Sequence, residues 1–219
     1  MKILNKKDYT KNGITLKENP GVIILKDFVE QNLCKEAVSE SHLLMQQLPN
    51  RVNKEGKFFS FDVLPTKVET DRIFRTLEIT KFNDSDGSLA LKQIYDRLYE
   101  LQINSIDNNN QEDVQDQTRR FQIIHYTIGG GFFDWHMHPR FPVNYGMILN
   151  LSKKNMNFKS GGTEIKDLNG KIIKVEDYSD IGDLILFRYD LEHRVSPCDP
   201  FNDLTFDQNG RWTAIMPIY

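Results

Sequence analysis

Five histidines occur in the chain, His42, His125, His136, His138 and His193, and four of them lie beyond residue 115. Two are spaced for shared work. In Asp134-Trp135-His136-Met137-His138 an extended backbone turns His136 and His138 to one face and Trp135 and Met137 to the other, so the two imidazoles can share one metal ion. His193 follows GDLILFRYDLE at the far end of another expected strand, where a closed sheet would bring it beside the pair. Three protein ligands on one face leave coordination positions open for substrate and oxygen, the geometry of a non-haem Fe(II) centre rather than of a closed structural site. Histidines satisfied in a core or exposed to solvent are the competing reading of the same residues.

Arg211-Trp212-Thr213 adds a second chemistry. Arg211 and Thr213 share a strand face, so a guanidinium fork and a hydroxyl can grip one carboxylate, which suits a dicarboxylic cosubstrate. Arg140 directly follows the histidine pair and is either an anchor for an anionic substrate group or a solvated loop arginine, and Arg119, Arg120 and Arg188 carry the same ambiguity. Phe133, Phe141, Tyr145 and Trp212 either wall a pocket or fill a core.

The elements that must position these groups change character near residue 115. Before it, apolar residues often recur at helical spacing; after it, short runs rich in Ile, Val, Phe and Tyr alternate with Gly, Asn, Asp and Pro. PGVIILKDFV (20–29) reads as a strand, and Glu30 to Leu48 as an amphipathic helix stopped by Pro49 and Asn50. Phe58, Phe59, Phe61, Val63 and Leu64 suggest an extended piece, and 68–82 is ambiguous. Leu89 to Ile106 is a helix with Asp86-Gly87-Ser88 as capping residues. The polar run 105–118 is a loop that lacks the ligand order of a calcium-binding hand. From Arg119 onward come eight short expected strands, RRFQIIHYTI, FFDWHMH, VNYGMILNLS, GGTEIKD, KIIKVE, GDLILFR, HRVSPC and RWTAIMPIY, which suggest a barrel or sandwich. Gly161-Gly162-Thr163-Glu164 and Gly182-Asp183 read as turn chemistry. Segments 105–118 and 152–160 are the expected lids.

At 219 residues the expectation is one domain over 1–219, with supporting elements over about 1–115 and a β-rich core over about 116–219. Twenty-eight Lys and Arg against 31 Asp and Glu give a net charge of −3, which supplies no basic field for nucleic acid. No stretch approaches the roughly 20 apolar residues that cross a bilayer, and MKILNKKDYTKNGITLKENP has no apolar run behind its lysines, so a cytoplasmic location is the expectation. Cys34 and Cys198 match no CxxC spacing and read as reduced thiols.

PGVIILKDFV, HYTIGGGFFDWHMH, GGTEI, GDLILFRYDLEHRVSP and GRWTAIMPIY resemble, in order, the landmarks of the Fe(II)- and 2-oxoglutarate-dependent dioxygenases, nearest the prolyl-4-hydroxylase-like branch. The resemblance covers residues 119–219 well and the N-terminal strand and helix loosely. It implies an α+β, mainly β fold: a double-stranded β-helix, or jelly-roll, braced by N-terminal helices. It further implies Fe(II), 2-oxoglutarate and O2 as the chemical partners, His136 and His193 as iron ligands, Arg211 on the distal carboxylate of 2-oxoglutarate, Thr213 in support, and Tyr126 hydrogen-bonded to the cosubstrate. The reaction implied is oxidation of an unactivated C–H, releasing succinate and CO2, on a small-molecule or amino-acid-like substrate, with a peptidyl side chain still open.

His138 departs from that family, whose usual motif is His-x-Asp. It either ligates iron as a neutral imidazole, or yields the carboxylate role to Asp134, or marks the loss of the metal. An imidazole at that position fills the room a halide would need, which favours hydroxylation over halogenation. A histidine-ligated cupin-like dioxygenase or isomerase without 2-oxoglutarate, and a non-catalytic jelly-roll, are the alternatives; the first gives Arg211 and Thr213 no reason to sit together.

Overall fold

The computed structural model describes residues 1–12, 21–47, 52–54, 57–63, 71–79, 82, 89–103, 119–139 and 145–217. The first elements are β1 (Lys2–Leu4), α1 (Lys6–Asn12), β2 (Val22–Leu25), α2 (Gln31–Gln47), β3 (Val52–Lys54), β4 (Lys57–Val63), β5 (Arg72–Ile73), β6 (Arg75–Ile79) and α3 (Ala90–Leu101). They are followed by β7 (Phe121–Thr127), β8 (Gly131–His136), β9 (Tyr145–Asn150), β10 (Gly162–Lys166), β11 (Ile172–Lys174), a 3-10 turn at Val175–Asp177, β12 (Leu184–Arg188), β13 (His193–Cys198) and β14 (Gly210–Ile215).

Two sheets form. The larger runs β1-β2-β12-β9-β14-β7-β6-β4-β3 and the smaller β11-β10-β13-β8-β5. β1 and β2 pair in parallel, and the other registered pairs are antiparallel. The eight strands β7 to β14 divide four to each sheet, and the chain crosses between the sheets at every connection except β10 to β11. This is the expected jelly-roll.

At β2 and β12 the large sheet is covered on both faces, and the apolar runs of these strands show why. In β2, Ile23 and Leu25 join the core beneath the helices while Val22 and Ile24 join the core between the sheets. β12 divides likewise, Leu184 and Leu186 to one side and Ile185 and Phe187 to the other. Continuous rather than alternating hydrophobicity is what burial on two faces demands. α3 turns Leu91, Ile94, Leu98 and Leu101 inward at helical spacing. The backbone N–H groups of Ala90 and Leu91 donate to the Glu40 carboxylate of α2 at 3.0 and 3.1 Å, an anion where the helix dipole favours one. The expected capping residues 86–88, and the helix stop at 48–50, lie outside the described residues.

The expected change from helical to β structure near residue 115 is not a structural border. β6, from the segment whose sequence pattern is ambiguous, pairs with β7 over five residues, so the large sheet runs across it. The turn at Gly182-Asp183 also does more than reverse the chain. The buried Asp183 carboxylate accepts the N–H of Asp27 at 2.9 Å and of Asp180 at 2.7 Å, and pairs with Lys26, which ties the β2–α2 connection to the start of β12. Segment 152–160, the second expected lid, is tied down at its end: Asp199 accepts N–H groups from Lys159 and Ser160, and Phe158 is buried between the sheets. The other expected lid, 105–118, lies outside the described residues. Among the described residues no helix is long and apolar enough to cross a membrane.

Candidate metal centre

His193 opens β13 and pairs across the small sheet with His136, the last residue of β8. His138, just past that strand, is held by its backbone N–H, which donates to the Tyr189 carbonyl at 3.0 Å. Ring centroids stand 4.1 Å apart for His136 and His193, 5.1 Å for His136 and His138, and 5.2 Å for His138 and His193. One ring nitrogen from each lies within 4.8 Å of the others.

Backbone carbonyls fix the tautomers. His136 Nδ1 lies 2.7 Å from the Asp134 carbonyl oxygen and His193 Nδ1 lies 2.9 Å from that of Leu191. A carbonyl only accepts, so each Nδ1 carries the proton and each Nε2 is left with its lone pair. Burial lowers the pKa of all three imidazoles: His193 falls to about 3 and His138 to about 4, with neighbouring imidazoles adding to both, and His136 shifts in the same direction with Arg72 adding to it. The neutral imidazole is the form that binds a metal. Phe133 stacks on His136 at 3.8 Å, Phe187 sits 4.6 Å from His193 and Tyr189 5.0 Å from His138, so each imidazole has an aromatic neighbour, while His138 keeps the cluster open to solvent on one side. This donor set fits a single divalent cation with open positions. Asp134 stands outside it: the exposed carboxylate accepts the Trp135 N–H, and only its backbone carbonyl serves the site.

Arg211 points between the sheets with its side chain 2 % exposed. Its Nε donates to Glu176 Oε1 at 2.7 Å and its Nη2 to Thr163 Oγ1. Tyr126 lies beneath it, ring centroid 5.4 Å from the guanidinium carbon, and burial pushes its phenol up to about 12. Thr213 is buried two residues along the same face of β14. Across the sandwich Thr163 pairs with Val195 and Ile165 with His193, so the Arg211 contact lies two strand residues, about 7 Å, from the histidine level.

Sequence reading missed Glu176 and Thr163. Thr163 looked like turn chemistry and Glu176 like part of a strand, and neither stands near Arg211 in the chain. It also missed Arg72 of β5, which lies over the Phe133 ring at 4.7 Å beside His136 and is held by Asp71.

Two expected wall residues are not brought to the histidines. Strand alternation puts Tyr145 and Trp212 on the helix-covered face of the large sheet, opposite Arg211. Trp212 stacks on His125 at 3.9 Å and 7° and borders a separate cavity of about 260 Å³ with Lys35, Ser39, Ser152 and Gln208. His125 accepts at Nδ1 from Arg75 Nε at 3.0 Å, and its Nε2–H donates to the Asn209 carbonyl at 2.7 Å. Arg119 donates to Gln102, Arg120 pairs with Glu78 and Arg188 with Asp190. Arg140 and Phe141 lie outside the described residues.

Among solved structures, a Pseudomonas putida prolyl-4-hydroxylase superposes with a TM-score of 0.64 at 14 % identity, over 93 % of this chain and 94 % of that one. A Trichoplax adhaerens prolyl hydroxylase, solved with a hypoxia inducible factor oxygen degradation domain peptide fragment, gives 0.62 at 16 % identity, over 93 % and 86 %. The chain shares its fold with prolyl hydroxylases. No family model matches its sequence, and no curated protein does. At such identity the likeness is one of architecture, while function resides in the site.

Proposed function

We propose that the chain is an Fe(II)- and 2-oxoglutarate-dependent oxygenase that hydroxylates or otherwise oxidises an unactivated C–H of a small-molecule or amino-acid-like substrate, releasing succinate and CO2. One observation carries the reading: three neutral imidazoles converge on one point, and a buried guanidinium lies about two strand residues away between the same sheets. A dicarboxylate spanning that distance can place one end at the metal and the other on Arg211.

His136, His138 and His193 would hold the iron, which when bound supplies the oxygen and radical chemistry. The Asp134 and Leu191 carbonyls keep the Nε2 atoms of His136 and His193 aimed at it. Phe133 and Phe187 shield His136 and His193, and Tyr189 flanks His138 on the side open to solvent. Arg211 with Thr213 binds the distal carboxylate, and Tyr126 orients the cosubstrate beneath the guanidinium. Charge supports the reading. Glu176 already balances Arg211 and the imidazoles are neutral, so the metal's +2 is met in full by a dicarboxylate, with no protein carboxylate on the metal. The Trichoplax neighbour was solved with a peptide, which keeps a peptidyl side chain as the second reading of the substrate.

The test is anaerobic titration of the metal-free protein with Fe(II) and then 2-oxoglutarate, following the visible charge-transfer band of the chelate. The band is expected, and Arg211→Ala should raise the 2-oxoglutarate concentration needed to reach it by tenfold or more. Bound iron without the band would favour the cupin-like chemistry, and no bound iron would leave a jelly-roll binding protein.

A further inference from the structure

Glu176 occupies a seat built for it. Its side chain is 6 % exposed, and Oε1 accepts both the Thr163 backbone N–H at 2.9 Å and Arg211 Nε at 2.7 Å. Gly162 makes the room: its φ is +126°, and a Cβ there would stand 2.4 Å from Glu176 Oε2. Thr163 presents its N–H to Glu176 and its hydroxyl to Arg211 Nη2, so three groups lock into a triangle. Both engaged nitrogens, Nε and Nη2, lie along one edge of the guanidinium. Nη1 has no hydrogen-bond partner among the described residues. A planar fork held along one edge can still meet a carboxylate with its other end.

We propose that Glu176 is a positioning residue: seated on Thr163 and Gly162, it holds the Arg211 guanidinium by its Nε edge so that Nη1 faces the distal carboxylate of the cosubstrate. This rests on the oxygenase reading above. An arginine held only by the flexibility of its own stem would spend rotamer freedom on every binding event, and Glu176 removes that cost in advance. The same contact cancels the buried guanidinium charge, so a ligand with a second carboxylate is selected by geometry rather than by a bare positive field.

The experiment compares calorimetric dissociation constants for 2-oxoglutarate and for 2-oxobutanoate, which lacks the distal carboxylate, on anaerobic Fe(II)-loaded wild type, Glu176→Ala, Glu176→Gln and Glu176→Asp. Glu176→Ala is expected to weaken 2-oxoglutarate about tenfold and leave 2-oxobutanoate unchanged. Glu176→Gln, which keeps the accepting oxygen, should recover most of the loss. Should Glu176→Ala fail to fold, Glu176→Asp keeps the charge but falls a methylene short of the fork, and it should show the same selective loss. Wild-type affinity for 2-oxoglutarate in Ala or Asp, or equal weakening of both ligands, would overturn the assignment. A wild type that binds both ligands equally would instead overturn the oxygenase reading, and with it this role for Glu176.

Discussion

In the proposed oxygenase, His138 would set the charge of the centre. With Glu176 cancelling Arg211, an imidazole at this position leaves a metal–dicarboxylate assembly neutral, whereas an aspartate would leave it at −1. His138→Asp should therefore retain one equivalent of Fe(II) and bind 2-oxoglutarate roughly tenfold more weakly, while His138→Ala should lose metal; metal analysis and calorimetry read the two separately. Unchanged metal content in His138→Ala would remove it from the ligand set. His125 carries a second consequence. It is buried and neutral, accepting from Arg75 and donating to Asn209, and burial holds its pKa well below the ordinary histidine value. Unfolded, it titrates near about 6.5. Below that pH the unfolded chain takes up a proton the folded chain refuses, so stability present above about pH 6.5 is lost as pH falls, by up to about 1.4 kcal/mol per pH unit for each such group. The three site imidazoles, lowered in the same direction, add to this in the metal-free protein. Urea midpoints should fall between about pH 7 and pH 5, and His125→Gln should flatten the slope. The histidine pair and Arg211 were legible because strand alternation fixes their faces locally. Glu176 was not, since its partner stands 35 residues away and is chosen by a 3-10 turn that the apolar run KIIKV disguises as strand.

Runs such as VIIL and LILF announced strands, which the fold buries on both faces, and the stripe of α3 announced its helix. What the sequence pattern left ambiguous was β6, whose polar positions Arg75, Thr76 and Glu78 break a clean alternation; Arg75 is there for His125, a partner the local pattern cannot show. Connections were harder still, because their hydrogen bonds come from distant side chains. Asp183 reads as a turn residue and serves as a latch. Asp183→Ala leaves the N–H groups of Asp27 and Asp180 unanswered and Lys26 without its carboxylate, holding only the Tyr178 carbonyl. The expected cost is about 2 to 3 kcal/mol, toward the lower end for a buried pair because Lys26 remains partly exposed. Chemical denaturation would measure it, and a change within about 0.5 kcal/mol would show that the latch is dispensable.

The helix layer and the small sheet do not touch the same atoms, yet they share the strands between them. β2 and β12 contribute alternate residues to both cores, so neither core can come apart without disturbing the backbone of the other. Thermal unfolding should accordingly be one transition, with far-UV dichroism and tryptophan fluorescence coinciding, since Trp212 reports the helix side and Trp135, beneath Lys166 and Arg194, reports the outer face of the small sheet. Two separated midpoints would show the layers to be independent. The same large sheet ends, among the described residues, in the three-residue β1, laid in parallel along β2. β1 buries little, but it occupies the hydrogen-bonding edge of a four-residue apolar strand. Without it, Val22–Leu25 would offer an open backbone template flanked by apolar side chains, the pattern that invites edge-to-edge association between chains. The short lysine-bearing β1 thus covers an edge that would otherwise be open to a second chain, a role separate from the chemistry inside.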